Sequence, residues 1–404
     1  MSDRHALREG TPDPERVTYV ELFFDLVFAF AITQVSGVLG PHPMPEHLAE
    51  ALVITLAVWW VWVYTTWATN WLNPDRRPIL WLLLILTAIG LVISEAIPEA
   101  FNSKAPLFVA GYLAFGAVRT VGVIAATRRR APEIARGQLR ILAWSGAAAV
   151  AWISGALAPD ERGRLLLWAL AVLLEYTGPA SLFWVPGRGR SGWDSWKIRG
   201  GHFSERSALF VIIVLGESIL VIGRALSEER AGAGVVSAAF CAFASAVLMW
   251  FLYFAHGQEY GRRFISARPV TGPVARVSYT YLHAVLVVGL VFATHGSELA
   301  LEAPREPADA MFDLLMVGGT ALYLLGLLSF KASVGVRLRS VPGHIVGAFL
   351  LLPVLLIAAL GSTKPSRLTL AVSVTAILGA VVAADEYFWV QRQRPSRETT
   401  TEHG

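Results

Sequence analysis

The chain has 404 residues, of which 55% are hydrophobic and only 16% are charged. Its mean hydropathy of +0.53 lies above the range of soluble domains and excludes a set of water-soluble units. The net charge of +4 is spread between apolar segments rather than grouped, which argues against nucleic-acid binding. The one cysteine, Cys241, excludes an internal disulfide and a cysteine metal cluster.

Apolar stretches recur along the whole chain, each about 18 to 23 residues long and so able to cross a membrane as a helix. The first carries Glu21 and Asp25 and lacks a small-residue cleavage site, so we interpret it as a retained helix. The fold class predicted is an all-α polytopic membrane protein with about 12 transmembrane helices. The predicted spans are 17–39, 48–69, 79–97, 106–125, 139–157, 164–183, 205–223, 235–255, 277–296, 311–330, 343–360 and 368–390.

The orientation follows from the loops between these spans. On the side that holds both termini, Lys and Arg are about three times as frequent as on the other side. In membrane proteins the loops rich in Lys and Arg are usually the cytoplasmic ones. The sequence therefore predicts a bacterial inner-membrane protein with both termini in the cytoplasm. The predicted parts are an N-terminal tail (1–16), a first six-helix repeat (17–183), a basic cytoplasmic loop (184–204), a second six-helix repeat (205–390) and a C-terminal tail (391–404).

The two predicted repeats rest on a similarity between their first helices. ELFFDLVFAFAITQVS, which begins at Glu21, aligns without gaps with ERSALFVIIVLGESIL, which begins at Glu205. Six spans per half is an even number, so both halves insert the same way and form a parallel repeat. The alternative is a chance resemblance of two apolar helices. In each segment a polar pair follows the opening acid, namely Thr33 with Gln34 and Glu217 with Ser218.

Several ionisable side chains fall inside the predicted spans. A charge at the centre of a membrane helix costs about 2.5 to 3.5 kcal/mol, so such groups are expected to face the bundle interior, a partner or water. The helical rise places six of them about 6 to 12 Å from the cytoplasmic ends of their helices. We expect a buried ion-pair network around Arg119, the one deep cation by this estimate. The six are Glu21, Asp25, Arg119, Glu175, His283 and Asp385.

Glu21 and Asp25 are spaced four residues apart and so lie on one face of their helix. That face is expected to point inward. Both carboxylates also stand near a helix N-terminus, where negative charge is favourable without any function. The two interpretations remain open at this stage.

Glu217 lies about 18 Å further along its helix than Glu205, so these two acids belong to opposite ends of the membrane. Gly216 precedes it and allows a neighbouring helix to approach. The carboxyl group of Glu217 could titrate protons or coordinate a cation. It could equally be a buried, neutral hydrogen-bond donor between helices.

Two long segments, VTYVELFFDLVFAFAITQVS and GHFSERSALFVIIVLGESIL, closely resemble the bacterial low temperature requirement protein A (LtrA) family, as does TTWATNWLNPDRRP. The resemblance spans most of the chain and implies a multi-pass integral membrane protein. The family is named after a growth phenotype, so the resemblance implies no reaction. The signature residues it implies are Glu21, Phe24, Asp25, His202, Glu205, Arg206, Gly216 and Glu217.

A second similarity concerns the lysosomal potassium channel family, in which an R-x-x-x-F-S-D motif opens each of two six-span repeats. Phe24 and Asp25 resemble this motif in the first half, although Arg16 lies nine residues before the acid rather than six. Phe203, Ser204 and Glu205 resemble it in the second half, with Glu in place of Asp. The similarity implies a channel-like arrangement.

Three functions follow from these patterns. The first is a channel or secondary transporter for an ion or small solute, with a charged path between the repeats. The second is an intramembrane lipid-modifying or lipid-handling protein with His202 and Glu205 as an acid–base pair. The third is a structural or sensory scaffold. The chain has no hydrolase or nucleotide-binding motif, so an enzyme is the less favoured reading, and no catalytic residue, cofactor, metal site or nucleic-acid partner is expected.

The expected partners are membrane lipids and the ion or solute itself. Twelve residues are the candidates for transport or ion pairing. The main ones are Glu21, Asp25, Arg119, Glu175, Glu205, Arg206, Glu217 and Ser218, and the secondary ones are Gln34, His202, His283 and Asp385.

Overall fold

The computed structural model describes residues 6–8, 16–192, 196–227, 232–336, 343–344, 346–347, 350–351, 354 and 364–393. Within these ranges the chain is almost entirely helical, and isolated bridges are the only extended pairing. Ten of the described helices are long and apolar enough to cross a membrane. The prediction of an all-α, multi-pass membrane protein is therefore confirmed.

Six long helices form the first half of the chain. Proline occupies one of the first two positions of four of them, where its missing N–H group is not needed. Gly40 ends the first helix with a φ of 66°, which suits glycine. The helices are α1 (Tyr19–Leu39), α2 (Pro45–Trp71), α3 (Arg77–Ala96), α4 (Ala105–Thr127), α5 (Pro132–Ala156) and α6 (Glu161–Ala180).

The second half contains helices with irregular turns. Two of them include a π-helical segment, at Ala275–Tyr281 and Leu314–Gly318, and a third such segment, Phe254–Gln258, joins two others. Such segments are uncommon and often accompany function. The helices are α7 (Gly200–Leu226), α8 (Ala233–Tyr253), α9 (Glu259–Ser266), α10 (Gly272–Glu302), α11 (Ala310–Ser333) and α12 (Arg367–Gln393).

Ten of the twelve predicted spans correspond to the helices that are long and apolar enough to cross a membrane, and two do not. Helix α6 forms as expected but is less apolar than the other long helices, because Arg162 and Arg164 lie in its first turn. The predicted span 343–360 lies mostly outside the described residues, as do the last eleven residues of the C-terminal tail. Arg8, in the predicted N-terminal tail (1–16), is buried in the protein.

The two halves meet through the first helices of each. Helices α1 and α2 pack against α7 and α10. Glu21 contacts Arg206 near the start of α1 and α7, and Thr33 contacts Glu217 three turns later. Helices α1 and α7 therefore run parallel and in register. The internal repeat itself stays a prediction.

Helices α10 and α11 are held unusually close by four glycines, Gly289, Gly296, Gly319 and Gly326, which we call the glycine seam. A Cβ atom at Gly296 would lie 2.8 Å from the Met316 backbone nitrogen, and one at Gly326 would lie 2.9 Å from that of Leu286. The two backbones are thus in direct contact. Small residues permit this approach in membrane helices.

Candidate functional site: buried charges between the two halves

The centre of the site is the carboxylate of Glu21 at the start of α1. Glu21 closes a capping box, because its Oε2 accepts hydrogen bonds from the backbone N–H and the hydroxyl of Thr18, both at 2.9 Å. The same carboxylate accepts bonds from Arg8 Nη2 at 3.0 Å and Arg206 Nη1 at 3.1 Å. It therefore caps its own helix and also binds two guanidinium groups, so both sequence-based interpretations of Glu21 describe part of its role.

Asp25 lies one turn further along α1. Its Oδ1 accepts hydrogen bonds from Arg206 Nη2 at 2.6 Å and from the indole N–H of Trp62 at 2.8 Å. Its Oδ2 is buried and has no hydrogen-bond partner, and neither has Arg206 Nε. Arg206 thus bridges both acids of α1, and one atom on each side of the Asp25–Arg206 pair remains unsatisfied.

His202 lies one turn before Arg206 on α7. Its Nε2 lies 3.0 Å from Glu21 Oε1, and its Nδ1 lies 3.2 Å from Nδ2 of Asn70. An amide nitrogen can only donate, so Nδ1 accepts and Nε2 donates to the carboxylate. The neutral imidazole satisfies both partners.

We call the set Arg8, Glu21, Asp25, His202 and Arg206 the ion-pair cluster. With neutral His202 it holds two positive and two negative charges. None of these side chains is more than 3% exposed. Burial of ions costs several kcal/mol per group unless charges and hydrogen bonds compensate, and here they do so almost completely. The ion-pair cluster is closed to water in this conformation.

An aromatic layer lies next to the ion-pair cluster, further along α1 and α7. The centroid of the Phe210 ring lies 4.3 Å from the ring centroid of Trp62, 5.2 Å from that of Trp59 and 6.5 Å from that of Phe28. All four rings are buried. Helices α1, α2 and α7 therefore supply a tightly packed apolar zone between the ion-pair cluster and the other end of the membrane.

A second polar group lies beyond the aromatic layer, and we call it the far-side cluster: Thr33, Glu217, Arg224, His295 and Glu298. The Thr33 hydroxyl donates to Glu217 Oε2. Arg224 Nη2 lies 3.3 Å from a carboxylate oxygen of Glu217 and 3.3 Å from one of Glu298. The Arg224 side chain is 55% exposed whereas Glu217 is 4% exposed, so this cluster, unlike the first, opens to its surroundings through Arg224.

His295 differs from His202 in the kind of partner it has. Its Nε2 lies 3.0 Å from the carbonyl oxygen of Gly40 and its Nδ1 lies 3.0 Å from Glu298 Oε2. A carbonyl and a carboxylate are both acceptors, so the ring donates to both only as the doubly protonated imidazolium.

The predicted network around Arg119 is not what the structure shows. The Arg119 guanidinium lies over the ring of Tyr64, 4.9 Å from its centroid, and no described carboxylate forms an ion pair with it. Glu175 accepts a 2.6 Å hydrogen bond from the Tyr112 hydroxyl. Asp25 pairs with Arg206 instead. The error arose because Arg206 was not recognised as a deep cation.

The remaining two groups of the predicted layer lie in the second half. Asp385 Oδ2 is 2.8 Å from His344 Nδ1 and 3.8 Å from Lys331 Nζ. His283 lies between the Tyr253 hydroxyl at 2.9 Å and the Ser278 carbonyl at 2.8 Å. The single layer expected from the sequence is therefore divided into separate sites.

Three further candidates lie outside the ion-pair cluster. Glu205 is exposed, whereas His202 is buried with its Nε2 against Glu21. Ser218 shares a 3.0 Å hydrogen bond with Thr294 and lines a small cavity in the second half. Gln34 is partly buried on α1. The described residues contain no group of three or more His, Cys, Asp or Glu side chains arranged to hold a metal.

Sequence reasoning missed several members of the site. Thr69 accepts from Arg206 Nη1 at 3.4 Å, and Asn70 Oδ1 accepts from the Arg199 backbone N–H at 2.7 Å. The polar run at the end of α2 was a usable signal, because Trp62 and Thr69 are seven residues apart and share a face. Nothing in the local sequence indicated that Arg8 would fold back into the bundle.

Comparison with known proteins gives one family and one relative. The family described as bacterial low temperature requirement A protein (LtrA) matches residues 16–383. The uncharacterized protein RA0937 of Rhizobium meliloti (strain 1021) is 35% identical over 396 residues, which cover 97% of this chain and 94% of that protein. No solved structure matches the chain. The similarity to potassium channels stays a prediction.

Proposed function

Since the chain belongs to the bacterial LtrA family of multi-pass membrane proteins, we propose that it is a gated channel or secondary transporter for an ion or small solute. The path runs along the contact between α1 and α7. The ion-pair cluster and the aromatic layer close it at one end, and the far-side cluster forms the other entrance. The protein lies in the bacterial inner membrane with both termini in the cytoplasm.

One observation carries this proposal: four compensating charges lie fully buried exactly where the two halves meet. Buried ion pairs are poor devices for stability, because well-packed apolar side chains of similar size often do as well or better. Ionisable groups inside membrane segments usually mark ion or substrate paths. The Glu21, Asp25 and Arg206 arrangement joins α1 to α7 and so can respond to movement between them.

The order of layers along α1 and α7 supports a gate. Charged groups at Asp25 and Arg206 are followed by the apolar rings of Phe28 and Phe210, and then by the polar group at Glu217. Apolar constrictions between polar zones close channels by excluding water. The parallel register of α1 and α7 allows all three layers to open by one displacement.

Two atoms of the ion-pair cluster have no protein partner among the described residues, namely Asp25 Oδ2 and Arg206 Nε. The first can accept and the second can donate a further hydrogen bond, so both can interact with water or an ion on the path.

The test is flux into vesicles that contain the purified protein, with gradients of protons, Na⁺, K⁺ and Cl⁻. Arg8→Gln removes one cation from the closed end and is expected to raise the flux several-fold. Glu217→Gln removes the acid at the other entrance and is expected to lower it. Glu46→Gln serves as the control, because Glu46 is an exposed acid at the same end as Glu217.

Absence of flux above empty vesicles for the wild type and for Arg8→Gln, with both proteins monodisperse, would overturn the proposal. The scaffold then becomes the better reading, since the compensated charges of the ion-pair cluster also suit a role in fixing helix register. The lipid-handling reading has less support, because His202 is buried against Glu21 and Glu205 is exposed.

A further inference from the structure

A wide groove lies between α3 and α4 at the end of the molecule where α1 begins. Its volume is about 650 Å³. Its walls include Trp81, Leu82 and Ile85 from α3 and Ala125 and Ala126 from α4. Trp81 is 61% exposed. The groove is therefore a depression with largely apolar walls on the outer surface of the bundle.

The mouth of the groove is strongly basic. Arg128, Arg129 and Arg130 line it, directly after the last turn of α4. Arg76 and Arg77 stand at the start of α3, next to the lining residue Pro78. All five arginines are exposed.

Within the described part of the chain, none of these five arginine side chains forms a hydrogen bond or an ion pair. Asp75 and Glu133 are the acids nearest to them in the sequence. Five cations and two anions leave a positive local charge that favours an anionic partner with several acceptor oxygens.

We propose that this groove binds an anionic phospholipid, with the phosphate at Arg128–Arg130 and an acyl chain between α3 and α4. Basic clusters beside membrane helices bind acidic headgroups. A soluble phosphate would use the arginines but not the apolar walls. A zwitterionic lipid would use the walls but gain little from the arginines. The site is separate from the α1–α7 path, so its test does not depend on the proposed function.

The test is native mass spectrometry of the full-length protein with added cardiolipin, phosphatidylglycerol, phosphatidylethanolamine or inorganic phosphate. We expect both anionic lipids to be retained, cardiolipin more strongly because it carries two phosphates. Phosphatidylethanolamine and inorganic phosphate are expected to be retained at least tenfold less. Equal retention of inorganic phosphate would overturn the lipid assignment, and equal retention of phosphatidylethanolamine would overturn the role of charge.

Two variants separate the two parts of the site. The triple change R128Q/R129Q/R130Q is expected to lower anionic-lipid retention at least tenfold. Its matched control, R188Q/R190Q/R268Q, removes the same charge from exposed arginines elsewhere and is expected to retain the lipid. Ala125→Phe fills the groove without changing charge and is expected to weaken binding as well. Wild-type retention by the site triple variant, or equal loss in the control, would contradict the proposal.

Discussion

The two ends of the α1–α7 contact carry similar chemistry in opposite environments. The ion-pair cluster and the far-side cluster each combine two carboxylates with arginine on α7 and a histidine. Arg206 is fully buried, whereas Arg224 is 55% exposed. The free energy that an ion pair contributes depends strongly on its exposure to solvent. The same residue types therefore form a buried cluster at one end of the contact and a partly exposed cluster at the other.

The largest expected effect comes from Arg206→Met. This change leaves Glu21 and Asp25 buried without their shared cation, which costs about 3 to 5 kcal/mol. Arg224→Met also removes a cation shared by two acids, but solvent screens it and the expected cost is below about 1 kcal/mol. Reversible unfolding in mixed detergent micelles measures both. Equal destabilisation by the two variants would remove the distinction between the two ends.

A double-mutant cycle sharpens the contrast at the buried end. Asp25→Asn and Arg206→Met remove the two partners of one pair, so the double variant is expected to be more stable than the sum of the single changes predicts. The coupling is expected to be about 1 to 3 kcal/mol. The same unfolding measurement provides it. Additive single effects would mean that Asp25 and Arg206 do not stabilise each other.

Thiol labelling tests access to water directly. Cys241→Ala gives a cysteine-free background, because the chain has one cysteine. Thr33→Cys, beside Glu217, is expected to react with a water-soluble maleimide several-fold faster than Thr69→Cys, beside Arg206. Both threonines hydrogen bond to a charged group of their cluster. Faster labelling at residue 69 would reverse the assignment of the closed end.

The smallest effect is expected for the stability of Glu217→Gln. Glutamine still accepts a hydrogen bond from Thr33, and the lost partner Arg224 is largely exposed. The free energy of unfolding is expected to change by less than about 1 kcal/mol. A loss comparable to that of Arg206→Met would show that the far-side cluster is as dry as the other.

The sequence was sufficient for the class of the protein and for part of the site. Apolar runs of membrane length predict membrane-spanning helices. The bilayer core has no water to hydrogen bond with the backbone, and a helix pairs its N–H and C=O groups within itself. The four-residue spacing of Glu21 and Asp25 correctly placed both on one inward face. The prediction that Asp25 pairs with Arg119 was wrong, because the depth of a residue along its helix does not reveal which neighbouring helix lies opposite it.

Other members of the site could not be read from local patterns. Arg8 lies in a polar tail, and its burial depends on contacts with Glu21 and the Thr69 carbonyl, far along the chain. Lys331 stands at the end of a span, where a solvated position is the usual expectation, yet it is 1% exposed beside His344. To predict contacts of this kind, one must know how the helices pack together. The spacing of residues along the sequence does not give that information.

The glycine seam restricts how the second half can deform. Where the α10 and α11 backbones touch there is no room for a side chain, so a larger residue at any of the four glycines would push the two helices apart. The π-helical turn Leu314–Gly318 lies within this contact, because Met316 faces Gly296. A displacement of one helix of the pair is therefore expected to carry the other with it.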